Sequence, residues 1–495
     1  MGAISRRALL LGAGGAAGWY GARRFGSHLP VLDGVWLTHP TPGEGVLNDA
    51  SGLSRTPIYR HITLSQDPGE ALIAAIRAEI REAAAEGRPV NIGAARHSMG
   101  GQAIPREGHA ITFDNGMVEA DTANGTYRTH AGARWSQIIA ALDPIGYSPK
   151  VMQSNHDFGV AATFCVNAHG WPVPWGPMGS TVRSFRMVLP SGDLVTCSRS
   201  ENADLFGMTM GGYGLTGAII DMEVEMVPNQ RLLPTAQVMP AQDFPAAFDA
   251  AIRSGEVPMA YGRLNVARAR FFEEAILIAF RPDADQSDLP VAESSGLMSH
   301  LASYIYRWQL GSEPMKHLRW WTETVVGPAL GNGPYTRNSL MNEPVETLGD
   351  RNPTRTDILH EYFVAPDRFD DFLTACRDVI PGSYQEFLNV TLRHVSRDDE
   401  SWLSYAPVDR IAAVMSFSQE MTDRAEADMA RMTRELIDRM IEIGASYYLP
   451  YRPHPTVDQL VATYPRAPEF AAAKRDLDPD LIFRNNLWDS YLGAL

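Results

Sequence analysis

The sequence predicts an α+β protein of two principal domains, and three features carry that prediction. The chain has 495 residues, enough for more than one hydrophobic core. Helical periodicity and strand alternation follow one another irregularly, without the strand–helix–strand rhythm of a doubly wound sheet. Three glycine-rich stretches all fall between residues 93 and 217, so one region is shaped to lie against an extended ligand.

Residues 1–29 read as a twin-arginine signal or anchor. Ser5-Arg6-Arg7-Ala8-Leu9-Leu10 carries the paired arginines, and the apolar run from Ala8 to about Tyr20 is short for a bilayer span. Such signals serve proteins exported already folded. The expected location is therefore the periplasm or beyond, with an uncleaved membrane anchor as the alternative because no clean Ala-x-Ala site follows. Gly12-Ala13-Gly14-Gly15-Ala16-Ala17 imitates a dinucleotide fingerprint. Gly26, Ser27 and Pro30 leave no room for the strand and crossover helix that this motif requires.

Residues 30–54 form an irregular approach segment, and the first domain is expected over 55–229. Pro68 to Glu86 reads as a helix, with Leu72, Ile73, Ile76 and Ile80 at helical spacing. Pro89-Val90-Asn91-Ile92 is a short strand signal that opens the first glycine loop. Further strands are expected at 111–113, 127–131, 184–189, 194–196 and 217–227, with a hairpin at Pro190-Ser191-Gly192-Asp193. Two helices are expected among them, one at Trp135–Leu142.

The second domain, 230–445, should be a sheet covered by helices. Its strand signals lie at Ile358–Val364 and Ile411–Phe417, and its helical runs at Phe369–Arg377 and Arg424–Ile443. Leu297 to Val326 is helical and aromatic, with Tyr304, Tyr306, Trp308, Trp320 and Trp321. This stripe is either a membrane-surface or oligomer patch or a helix packed on its own domain. Residues 446–495 are a C-terminal segment expected to return to the first domain.

Composition narrows the function. A net charge of −15 and the lack of any lysine- or arginine-rich block argue against a nucleic-acid partner. Cys165, Cys197 and Cys376 are too few and scattered for a metal knuckle or disulfide framework, although one disulfide stays open. A metal hydrolase built on His97, His109, His130, His156 and His169 would need carboxylate spacings that are missing, so no metal site is assigned.

The chemistry concentrates in the small-residue stretches. Gly93-Ala94-Ala95-Arg96-His97-Ser98-Met99-Gly100-Gly101-Gln102 lets backbone N–H groups converge on an anion such as a pyrophosphate. Ser154-Asn155-His156-Asp157-Phe158-Gly159 and Asn167-Ala168-His169-Gly170 follow, and then Gly211-Gly212-Tyr213-Gly214-Leu215-Thr216-Gly217-Ala218-Ile219. A dinucleotide has the extended shape that would touch all of them.

In that order, with Ser191-Gly192-Asp193 and Glu201-Asn202-x-Asp204-Leu205-Phe206 between, these motifs resemble the FAD-binding (PCMH-type) domain of vanillyl-alcohol oxidase-type flavoproteins. The likeness is nearest the sugar-lactone and alditol oxidases and more distant to cytokinin dehydrogenases. It implies a two-part FAD-binding domain plus an α+β substrate (cap) domain. It assigns FAD to Gly93, Ala94, Ala95, Arg96, His97, Ser98, Gly101 and Gln102. It adds Ser154, Asp157, Gly159, Asn167, His169 and Gly170, and then Gly214, Gly217, Ile219 and Asn485. His97 stands where many relatives carry a covalent histidyl–flavin bond; the alternative is a hydrogen bond only. Asn155 occupies the place of a second, cysteinyl attachment, and Cys165 is read as a buried core thiol.

The resemblance also points to Arg393 as a guanidinium facing the flavin, although the acidic residue expected before it is Thr391. Tyr451-Arg452-Pro453-His454 resembles a motif whose later lysine is Val457 here. His454 and His169 are the candidate bases. The implied activity is hydride transfer from a small alcohol, polyol or sugar-lactone-like donor to FAD, reoxidised by oxygen or a respiratory-chain acceptor. A non-catalytic binding protein on the same scaffold is the alternative.

Overall fold

The computed structural model describes residues 45–292, 306–330, 333–344 and 352–495. The twin-arginine segment, most of the approach segment and Tyr304 lie outside the described residues. The mixed helices and sheets agree with the expected α+β class.

In the first domain Arg60–Leu64 and Val90–Ile92 flank His109–Phe113 in a parallel three-stranded sheet. Helix Glu70–Glu86 makes the crossover between two of these strands and buries Leu72, Ile73, Ile76 and Ile80. The second sheet is antiparallel, with Leu194–Ser198, Val182–Val188, Ala218–Pro228, Thr126–His130 and Val118–Asp121 in that order and Tyr147–Pro149 also on Ala218–Pro228. The Pro190–Asp193 hairpin closes with Leu189 N–H donating to Asp193 O at 2.9 Å. Trp135–Leu142 is helical, with its apolar face buried. Where two helices were expected in this region there are three, because Val160–Cys165 and Ala203–Thr209 are both helical. Each is too short to imprint a helical period on the sequence.

The second domain is built on an eight-stranded antiparallel sheet. The order is Tyr335–Thr336, Arg231–Pro240, Glu274–Pro282, Met259–Leu264, Glu386–Val395, Arg410–Glu420, Arg355–Val364 and Ser446–Tyr447. Helices Phe244–Arg253, Phe369–Val379 and Asp423–Glu442 pack against it in one large core. Strand alternation then decides which residues reach the cleft. Along Arg355–Val364, Ile358, His360 and Tyr362 turn into the core, whereas Leu359 and Glu361 turn out of it.

The described part of the aromatic stretch packs partly on its own domain. Tyr306 Oη donates to Ser416 Oγ at 2.8 Å and Trp320 Nε1 to Glu274 Oε2 at 2.9 Å. Trp308 and Trp321 are exposed. Among the described residues no helix is long and apolar enough to cross a membrane.

The C-terminal segment reaches the first domain through its backbone. Val90 N–H donates to Ile482 O at 2.6 Å and Arg484 N–H to Val90 O at 3.3 Å. Asp478 fixes this return, accepting from Ile482 N at 2.9 Å and Phe483 N at 2.8 Å while paired with the buried Lys474 ammonium.

Candidate cofactor and active site

The strand Val90–Ile92 delivers the first glycine loop to the edge of the parallel sheet, where Gly93 N–H donates to Ile111 O at 2.8 Å. Arg96 (φ 53°) and Gly101 (φ 69°) take left-handed conformations, which turn the chain sharply within a few residues. The end of the loop is tied to the C-terminal segment. Met99 N–H donates to Pro450 O at 2.8 Å, and Gln102 Nε2 to Leu449 O at 2.8 Å and Tyr451 O at 2.9 Å. These bonds bring the first domain's loop to residues that close the second domain.

The loop forms one wall of an elongated cleft enclosing about 1530 Å³ of space, its mouth included. Gly93, Ala94, Ala95, Arg96, His97, Ser98 and Gln102 line it. Ser154, Asn155 and Gly159 form a second wall, and Gly214, Gly217 and Ile219 a third. His97 lies against Phe158, ring centroids 4.4 Å apart, and burial lowers its pKa. His169, Glu361, Arg393, Val414, Tyr448 and Tyr451 complete the lining.

Five expected cofactor residues do not line the cleft and have structural partners instead. Gly101 N–H donates to Asp49 Oδ2 at 2.7 Å. Asp157 lies 3.4 Å from His156. Asn167 holds Ser401 Oγ at 2.8 Å and accepts from Gly179 N at 2.8 Å. A Cβ on Gly170 would sit 1.8 Å from Met152 O, so this glycine serves a close backbone crossing. Asn485 donates to Tyr213 O at 2.9 Å and caps the helix Asn486–Ser490.

His454 does not line the cleft either. Its Nε2 lies 2.8 Å from Glu426 Oε1 and its Nδ1 3.2 Å from Thr433 Oγ1, in a buried cluster away from the cleft lining. Burial opposes ionisation of Glu426, but the His454 hydrogen bond and the Arg452 charge outweigh it and hold that carboxyl low. Val457, where a lysine was expected, is the first residue of helix Val457–Thr463 and is not among the lining residues. Cys165 packs against the first-domain core and also lines the cleft, its thiol pushed up to about 12 by burial.

His169 and Arg393 do meet. Arg393 Nη1 donates to His169 O at 3.3 Å, and burial lowers the Arg393 pKa against the opposing charges of Glu361 and Tyr451. The residue that sequence reading missed is Glu361. Its Oε1 contacts His169 Nε2, and its Oε2 accepts from Tyr451 Oη at 3.0 Å. The signal was a lone carboxylate inside an apolar strand, Ile358-Leu359-His360-Glu361-Tyr362-Phe363-Val364. The other histidines of the metal-site alternative do not converge: His109 bonds Glu79, His130 accepts from Gly132 N–H, and His156 bonds Asn342.

The lining fits a dinucleotide. A Cβ on Gly159 would come within 2.4 Å of the Ala94 Cβ, so the first two small-residue walls pack directly on each other. Arg96 Nε, Gln153 Oε1, His169 Nδ1 and Arg393 Nε are buried in the lining without a hydrogen-bond partner among the described residues. Such groups call for a polar ligand.

Residues 72–198 match a family model described as an FAD binding domain. The chain carries an FAD-binding domain of the PCMH type. The match takes in the loops at 93–102 and 153–170 and stops short of the third glycine wall and the second domain. Over 472 residues the chain is 23% identical to decaprenylphosphoryl-beta-D-ribose oxidase of Mycolicibacterium smegmatis, covering 88% of this chain and 95% of that protein. Cytokinin dehydrogenase 1 of Oryza sativa subsp. japonica is 30% identical over 211 residues, 38% of this chain and 40% of the relative. Mitochondrial L-galactono-1,4-lactone dehydrogenase of Brassica oleracea is 24% identical over 147 residues, 30% of this chain and 24% of the relative. A protein with an FAD-binding domain is thus related along most of its length to one oxidase, and over shorter spans to dehydrogenases.

Proposed function

We propose that the protein oxidises a hydroxyl-bearing carbon of a small alcohol, polyol or sugar-lactone-like donor, using FAD attached through His97. One observation carries this reading: the glycine loops and the polar group of Arg393, His169 and Glu361 line one and the same cleft. The residues that would hold FAD are Gly93–Ser98 and Gln102, Ser154, Gly159, Gly214, Gly217 and Ile219. When bound, FAD supplies the hydride acceptor.

The chain's own residues supply the rest. The Arg393 guanidinium stays charged and donates toward developing negative charge on the donor oxygen. His169 is the imidazole at hand to take the hydroxyl proton. The buried Tyr448 and half-buried Tyr451 beside it exclude water and strengthen these interactions. The lactone and ribose named for the relatives justify including lactones and a polyprenyl-phosphate-linked pentose among the donors to be tried.

Oxygen or a respiratory-chain acceptor would complete the cycle. The paired arginines Arg6-Arg7 support export by the twin-arginine route to the periplasm, and an uncleaved signal or the exposed Trp308 and Trp321 would support membrane-surface association. Anaerobic bleaching of the FAD-loaded protein by D-arabinono-1,4-lactone, L-galactono-1,4-lactone, xylitol and the lipid-linked pentose tests the reading. Reduction by at least one donor is expected. Failure of all would favour a non-catalytic protein on the flavin scaffold.

A further inference from the structure

We propose that Glu361 and His169 form a proton-accepting pair, in which Glu361 positions the imidazole and His169 Nδ1 receives the proton of the donor hydroxyl. This rests on the alcohol-donor reading above. The sheet builds the pair into the cleft. Glu361 shares a cross-strand row with Val414 and Thr391, and the neighbouring row runs from Phe363 through Ala412 to Arg393. Successive rows on one sheet face therefore carry the carboxylate and the guanidinium.

The Glu361 side chain is only 2% exposed, and its ion-pair partner among the described residues is His169. A carboxylate so buried has to be hydrogen-bonded at both oxygens. Tyr451 Oη satisfies Oε2, and a proton on His169 Nε2 satisfies Oε1. That tautomer leaves a lone pair on Nδ1. Nδ1 is buried and has no hydrogen-bond partner among the described residues, so it is the open acceptor of the pair. Arg393 Nη1 holds the His169 backbone carbonyl at 3.3 Å, which fixes the guanidinium and the imidazole relative to each other.

The step balances. The donor O–H bond breaks and its proton goes to His169 Nδ1. Bound FAD would supply the acceptor for the carbinol hydride, and the O–H electron pair becomes the second carbon–oxygen bond. The Glu361 carboxylate compensates the imidazolium. The other titratable groups around the carboxylate are Arg393 and the phenols Tyr213, Tyr405, Tyr448, Tyr451 and Tyr464. Burial raises every one of these phenols well above 10, so they stay protonated through the neutral range.

Histidine NMR of the FAD-loaded protein, labelled at ring carbon and nitrogen, tests the pair without needing turnover, with His169→Asn assigning the resonance. The Nε2–H tautomer is expected in the wild type, and an upfield move of the Nε2–H proton resonance in Glu361→Gln, whose neutral amide is the weaker acceptor. Flavin content should not change. Anaerobic reduction by the lactones or xylitol should slow on the order of 10²-fold in kcat with KM little altered, and Glu361→Asp should restore part of it. An Nδ1–H tautomer in the wild type, or an unmoved Nε2–H resonance in Glu361→Gln, overturns the pair; the wild-type tautomer decides alone if the variants do not fold. If His169 behaves as expected but no donor reduces the flavin, the alcohol-donor reading fails and so does the pair's role in proton transfer, while its hydrogen bond stands.

Discussion

Gly159 backs onto Ala94 so closely that a Cβ on it would lie 2.4 Å from the Ala94 Cβ. The first and second small-residue stretches are thereby locked together at the cleft. The Gly159 backbone is ordinary, with φ −72°, so the constraint is contact and not strain. Gly159→Ala should cost about 1–3 kcal/mol by overpacking and push the loop at Ala94 outward. Thermal unfolding and the ratio of flavin to protein absorbance should both fall.

Arg393 offers a test of charge against shape. Arg393→Lys keeps the cation but loses the fork that reaches both His169 O and the cleft. Flavin reduction should slow by about 10²–10³-fold, the loss typical of one aimed donor, while flavin content holds. A variant reduced at the wild-type rate would remove Arg393 from the chemistry.

The core cluster behind the sheet predicts acid sensitivity. His360 is buried and its pKa is lowered to about 3 from 6.5; burial also lowers that of His454. Both folded-state values lie below the unfolded one, so the stability linked to them is whole above about pH 6.5 and is lost as pH falls. Each group removes up to about 1.4 kcal/mol per pH unit in that window. Melting temperature followed from pH 7 to 4 should drop, and His360→Gln should flatten the slope.

Lys474 and Asp478 are both fully buried and pair directly. Lys474→Ala leaves Asp478 without its counter-charge while it still holds Ile482 and Phe483. A loss of about 3–5 kcal/mol is expected in denaturant unfolding, with flavin retention falling as the C-terminal return loosens.

How much of this was legible in the sequence depended on range. Helices Glu70–Glu86 and Trp135–Leu142 declare themselves through local periodicity, and the first glycine loop through its residue types. The order of the eight-stranded sheet does not, because partners such as Arg263 and Thr391 pair across a long stretch of chain. His454 illustrates the same limit. Its motif position gave no sign that Glu426, on the helix Asp423–Glu442, would claim its Nε2. Glu361 was readable as an odd carboxylate in a core strand, but the His169 contact that makes it chemical is a tertiary fact.

The central claim is that the cleft holds FAD, joined to His97. Its most direct test is an absorbance spectrum of the purified protein before and after acid precipitation. The account predicts a yellow protein whose colour stays with the pellet and is released to the supernatant by His97→Ala. Colour that leaves the wild-type pellet would remove the covalent bond alone. A colourless protein that takes up no added FAD would contradict the account.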